Sequence, residues 1–221
     1  MIERAIAAAT HGRYLVAPPD HDGPSPMLVG FHGYGEGAEA QLERLRSIPG
    51  AERWVTVSIQ GLHRFYQRRT NEVIASWMTR QDRELAMADN LAYVNAVMDA
   101  VAAEWPTTTG AVFAGFSQGV AMSFRAAAHT SRPIAAVIAA GGDVPPELDA
   151  TALGRVKAAL ICRGVRDDWY ASSKFGEDRR RLGEAGVDVR PLEFDGGHEW
   201  SDPVVRAAAE LLRDVLRRGT A

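Results

Sequence analysis

The stretch that most limits what this chain can fold into is Gly115-Phe116-Ser117-Gln118-Gly119. Residues 110–114 before it are a short apolar run, which predicts a buried strand. Residues 120–128 after it are small and mostly apolar, which predicts a helix. A serine framed by two glycines between strand and helix needs a sharp turn. Gly115 and Gly119 let the two elements close around it, and the serine takes the strain, its hydroxyl pushed out at the end of the sheet. The first turn of the helix aims free N–H groups at the same spot, where they stabilise negative charge.

The rest of the chain repeats the alternation of short apolar runs with helical patterns. Strands are expected at 13–17, 27–31, 54–58, 110–114, 134–139, 157–162 and 187–194, the last at a sheet edge because of Pro191. Helices are expected up to Ile48, over 81–105, over 120–128, from Ser172 or Ser173 as cap to Gly186, and from an Asp202 cap with Pro203 in first position. The long one carries Leu91, Val94, Val97, Met98, Val101 and Trp105 at helical spacing and stops at Pro106. This pattern predicts an α/β fold: a mostly parallel sheet of about seven strands flanked by helices, residues 1–221 as a single domain, no large cap domain. Residues 61–78, aromatic and basic, show no clean period and resist assignment to helix or strand; a loop of this length is usually functional or disordered.

Composition excludes several functions. A net charge of −3 with dispersed arginines gives no footprint for nucleic acid. No apolar stretch is long enough to span a membrane, and the first ten residues contain an acid and too short an apolar run for a signal peptide. The single cysteine, Cys162, lies inside an apolar run and reads as a buried core thiol. A cytoplasmic location is expected, with no metal site, no cofactor and no phosphate-binding glycine loop.

A serine hydroxyl is a poor nucleophile unless a base takes its proton and an acid orients that base. In folds with this turn the chain order is serine, acid, histidine. Of six histidines only His129 and His198 follow Ser117. His129 falls near the end of the helix after the turn, away from the active end of the sheet. His198 falls between the last strand and the last helix, at the sheet edge where open α/β folds bind ligands. The acid belongs at a strand end between the two. Asp167 and Asp168 both stand there, with Asp143 as an outside candidate. Donors for an oxyanion are expected from the N–H of Gln118 and from the loop His32-Gly33-Tyr34-Gly35, through the N–H of Tyr34. His32 itself reads as a hydrogen-bonded structural residue.

His-Gly-Tyr-Gly at 32–35, Gly-Phe-Ser-Gln-Gly at 115–119, Gly-x-x-Asp at 164–167 and Gly-His at 197–198 together resemble the phospholipase/carboxylesterase branch of the α/β-hydrolases, over nearly the whole chain. The resemblance implies an α/β-hydrolase fold and hydrolysis of carboxylic esters or thioesters by Ser117, Asp167 and His198, because the family acid stands three residues after the glycine. The sequence departs from the pattern at Trp77-Met78-Thr79, where the family's thioesterases carry Trp-Phe-Asp, and at Trp169-Tyr170, where a valine-proline pair is usual.

Pockets for acyl groups are mainly apolar. Phe65, Trp77 and Met78 are therefore expected on one wall of a substrate groove and Trp169 and Tyr170 on the other. Such bulky walls favour short to medium acyl chains. The partner expected is a small-molecule ester. The alternatives are a lysophospholipase or acyl thioesterase of the same family, a serine peptidase on the same fold, and a binding domain without catalysis. The last would show the loss of serine, acid or histidine, and all three are present.

Overall fold

The computed structural model describes residues 1–219. In chain order the elements are β1 (Arg13–Ala17), β2 (Ser25–Phe31), α1 (Ala38–Arg46), a 3-10 turn (Ala51–Arg53), β3 (Val55–Gln60), β4 (His63–Tyr66), β5 (Val73–Ser76), α2 (Arg83–Glu104), β6 (Thr107–Phe116), α3 (Gln118–His129), β7 (Ile134–Ala140), α4 (Ala150–Leu153), β8 (Val156–Gly164), α5 (Ser172–Glu184), β9 (Asp188–Phe194) and α6 (Asp202–Gly219). Seven strands form one sheet in the order β1-β3-β2-β6-β7-β8-β9. Only β1 runs antiparallel to its neighbour. The edge position expected of the strand with Pro191 is where β9 lies, paired on one side only, with Pro191 opposite Ile161 of β8.

The central strands are apolar along their length because helices cover both faces. One core packs α2, α3 and α5 on the sheet through Val94, Met98, Met122, Phe124, Phe175 and Leu182. The other packs α1 and α6 on the opposite face through Leu45, Val204, Ala208 and Leu212. Registers align the carboxyl ends of the central strands. Phe31 pairs with Gly115, Phe116 with Ala140, and Ala140 with Cys162. The loops that follow β2, β6, β7, β8 and β9 therefore open at one edge. Among the described residues no helix is long and apolar enough to cross a membrane.

Three local expectations are corrected. Residues 61–78 are not an irregular loop: β4 and β5 make a two-stranded hairpin with His63 opposite Ser76 and Tyr66 opposite Val73. All four residues of β4 are exposed, so no buried face imposes an alternation that the sequence could display. No side chain caps α5; Ala171 stands at its N-cap and Ser172 is already helical. Likewise α6 includes Asp202, and its first turn closes with Val205 N donating to Ser201 O at 3.0 Å, so the cap falls one residue earlier than expected.

Candidate active site

The turn after β6 is as tight as its glycines require. A Cβ on Gly119 would lie 2.0 Å from the Phe31 carbonyl oxygen, and one on Gly115 would lie 2.4 Å from Gly119 O. Ser117 sits between them at φ 52°, ψ −120°, a conformation that costs an L-residue about 1–3 kcal/mol. It is pinned there by Ser117 N donating to Ala140 O at 2.9 Å and by Val120 N donating to Ser117 O at 3.0 Å. A serine at a helix N-cap ordinarily turns its oxygen onto the helix. The Ser117 side chain makes no such bond, so its hydroxyl stays available at the mouth of the loop cluster.

Two strand ends away, Asp167 is buried and has both oxygens engaged. Oδ1 accepts from Trp169 N at 2.8 Å and Tyr170 N at 2.9 Å, and Oδ2 lies 2.9 Å from His198 Nδ1. Burial alone would raise this carboxyl. The Tyr170 N–H, the His198 ring and the Trp169 N–H outweigh it and hold the group below the ordinary carboxylate range. Of the three candidate acids only Asp167 meets the histidine. Asp168 is exposed, and Asp143 pairs with Lys174 at 2.9 Å. The His198 ring packs against Phe116, the residue before the serine, at 5.1 Å between centroids. The Gly141-Gly142 pair brings the two halves together. A Cβ on Gly141 would lie 3.1 Å from His198 Cε1, and one on Gly142 would lie 2.3 Å from Ser117 O. No hydrogen bond joins the Ser117 hydroxyl to His198 here; in unliganded sites such bonds often tighten only with substrate.

The loop after β2 is braced from several sides. His32 Nε2 accepts from Gly61 N at 2.9 Å, so its Nδ1 carries the proton and donates to Gly33 O at 2.7 Å. Burial keeps this imidazole below the usual histidine range and neutral, the structural role expected of it. Glu36 Oε2 accepts from Gly33 N at 2.8 Å and from Arg44 Nη1 at 2.7 Å, and Gly35 N donates to Ala75 O at 2.9 Å. Tyr34 N, between these engaged amides, bonds no protein acceptor among the described residues. The Gln118 N–H opens α3 and has no intrahelical acceptor. The Gln118 side chain ties the turn to the end of the hairpin: Oε1 accepts from Trp77 N at 3.0 Å, and Nε2 donates to Met78 O at 3.1 Å. The Arg44 guanidinium covers the Phe116 ring at 4.2 Å. Glu36 and Arg44 carried no motif and were not legible in the sequence.

A family model described as phospholipase/carboxylesterase matches residues 15–177. The chain belongs to the phospholipase/carboxylesterase family. Its members are carboxylic ester hydrolases, and membership makes this protein one of them. The carboxylesterase of Bacillus cereus is 18% identical, with 92% of this chain and 94% of that one covered at a TM-score of 0.70. Acyl-protein thioesterase 2 of Zea mays is 17% identical, with 93% and 100% covered at 0.71. A carboxylesterase of Mesorhizobium loti is 18% identical, with 85% and 88% covered at 0.70. At these identities the likeness shows the α/β-hydrolase fold. No curated protein sequence matches the chain significantly.

The cavity beside Ser117 has different walls from those expected. A cavity of about 320 Å³ opens beside Ser117, with Met78 and Trp169 on its lining. Trp77 and Tyr170, expected on the walls, are core residues at 0% and 1% exposure. The Trp77 indole packs on Phe31 and donates from Nε1 to His32 O at 2.8 Å; the Tyr170 hydroxyl donates to Asp178 Oδ2 at 2.9 Å. An aromatic ring with a polar handle is buried as readily as it is exposed when that handle finds a partner, and the sequence did not reveal the partners. Phe65 stacks on Tyr34 at 5.8 Å, out on the hairpin. The lining that was missed is charged: Arg83, Arg125, Asp143 and Lys174. The available signal was Arg125, the one charge in the otherwise small and apolar run after the turn.

Proposed function

We propose that the protein is a serine carboxylesterase that hydrolyses small esters of short to medium acyl chain through an acyl-enzyme on Ser117. The observation that carries the reading is the 2.9 Å contact of Asp167 Oδ2 with His198 Nδ1 beside a serine held in a strained turn. His198 Nε2 takes the Ser117 proton as Oγ attacks the ester carbonyl carbon. The tetrahedral oxyanion is received by the N–H groups of Tyr34 and Gln118. The carbon–oxygen bond to the alcohol then breaks, and the alcohol leaves with the proton from His198. Water repeats the cycle on the acyl-enzyme and releases the acid. Asp167 fixes the histidine tautomer and faces the imidazolium that forms.

Peptide hydrolysis on the same fold is a weaker reading, because a cleft of about 320 Å³ suits a small molecule better than an extended chain. Thioester or lysophospholipid hydrolysis would use the same machinery, and matched oxygen-ester, thioester and lysophospholipid substrates rank these three activities. A fluorophosphonate probe followed by mass spectrometry is expected to mark Ser117. An adduct elsewhere, or full esterase activity in Ser117→Ala, would overturn the reading.

A further inference from the structure

The cleft beside Ser117 contains an arginine with more donors than acceptors. Arg125 belongs to α3, and its side chain is 5% exposed. Its Nε donates to Glu147 Oε1 at 2.7 Å, and its Nη1 reaches only the Met78 sulfur at 3.8 Å. Its Nη2 has no acceptor among the described residues. A guanidinium ordinarily spends its fork on oxygens; Nη2 is not among the fully buried unpartnered atoms and stays open to the cleft that Arg125 lines. Arg83 approaches the same Glu147 at 3.9 Å, and Lys174 pairs with Asp143 at 2.9 Å. Three cations thus share two carboxylates around the cavity, leaving one positive charge in excess.

We propose that this cleft selects esters whose acyl group ends in a carboxylate, such as monoesters of small dicarboxylic acids, with Arg125 as the carboxylate-binding residue. The inference rests on the reading of Ser117 as the nucleophile. Gln118, Ala121 and Arg125 share one face of α3, both alanine and arginine lining the cavity with the serine. Seven residues of helix rise about 10 Å, and side chains lean toward the helix N-terminus, back toward Ser117. A short acyl chain ending in a carboxylate would direct that charge along this face toward Arg125, whereas a long lipid chain would bring methylenes against the charged end. A carboxylate on the acyl side is held through both halves of the reaction, so its binding serves acylation and deacylation alike.

The test compares kcat/KM for para-nitrophenyl hydrogen glutarate with that for para-nitrophenyl pentanoate, which has the same chain length and no charge. The charged ester is expected to be favoured by at least about tenfold, the weight of one charge-assisted hydrogen bond. Glu147→Gln removes a competing carboxylate from an exposed position and is expected to raise that ratio; Arg125→Gln and Lys174→Gln are expected to lower it, Arg125→Gln by about 10- to 100-fold. If Arg125→Gln does not fold, the wild-type ratio and the Glu147→Gln shift decide. Hydrolysis of the pentanoate that depends on Ser117, with no preference for the glutarate or with a ratio unmoved by Glu147→Gln, overturns this inference and leaves the esterase reading intact. Failure on both esters, with no phosphonate label on Ser117, overturns the esterase reading itself.

Discussion

Replacing Asp167 with asparagine tests the orienting acid through a choice that the surrounding atoms force. The native Oδ1 receives two backbone N–H groups, from Trp169 and Tyr170, and Oδ2 faces His198 Nδ1. An asparagine has one oxygen for these two places. With its oxygen toward Trp169 N and Tyr170 N, both backbone bonds survive and the amide NH₂ points at His198. With its oxygen toward His198, the NH₂ meets two N–H donors, which costs about 2–4 kcal/mol and disfavours that arrangement by about 30- to 1,000-fold. The first arrangement wins, and it offers His198 Nδ1 a donor. The ring proton must then move to Nε2, where a base needs a lone pair. Loss of the negative charge facing the imidazolium adds to this, so kcat is expected to fall about 10³- to 10⁴-fold. The assay is para-nitrophenyl butyrate hydrolysis at saturating substrate, with circular dichroism to confirm the fold. The exposed Asp168→Asn is expected to change kcat by less than about threefold, since it touches neither the ring nor the turn. Retention of more than a tenth of kcat in Asp167→Asn, or a larger loss in Asp168→Asn, would refute the reasoning.

Other outcomes follow from the same geometry. Ser117→Gly is expected to abolish turnover yet melt above Ser117→Ala by about 2–4 °C, because glycine relieves a φ of 52° at a net gain of about 1 kcal/mol; calorimetry giving the opposite order would show that the turn is unstrained. Tyr34→Pro removes one proposed oxyanion donor and is expected to cost at least about 10²-fold in kcat, so a folded variant with near-normal turnover excludes that donor. Trp77→Ala is expected to cost about 3–5 kcal/mol of stability by urea titration and to leave acyl-chain preference unchanged, since the ring is core; a shift toward longer chains would return Trp77 to the cleft wall. Asp167 and Glu36 are both held below their ordinary range, so their stabilisation is complete above the unfolded carboxylate values near pH 4 and is lost as pH falls through the lower folded values. Equal urea midpoints at pH 6 and pH 3 would contradict this.

Much of the fold was legible because the central strands are buried on both faces, so their apolar runs stand out against helical spacing. The turn at Ser117 was legible for a stronger reason: three consecutive constraints (strand, glycine frame, small-residue helix) agree there. Asp167 needed the family spacing, since nothing local separates it from Asp168; only the two amides of Trp169 and Tyr170 turn one carboxylate inward. The hairpin was missed because exposed strands carry no buried stripe. The cleft walls were misread for the converse reason. Aromatic residues near a site suggest a groove, but Trp77 and Tyr170 have partners in the core, and the charged lining comes from α2, α3, α5 and the loop after β7, which only tertiary packing brings together.

The hairpin of β4 and β5 touches the site at two points. Ala75 exchanges hydrogen bonds with Gly35 and Glu36 on one loop, and the Gln118 amide reaches Trp77 and Met78 at the end of β5. Its far end, residues 67–72, is largely exposed and polar, the kind of tip that accepts inserted sequence. A receptor domain spliced between Arg69 and Thr70 would therefore act on both proposed oxyanion donors through one ribbon. Tension or order imposed by that guest on binding its own ligand would be read out as a change in ester turnover, which makes this ribbon a natural graft point for a sensor.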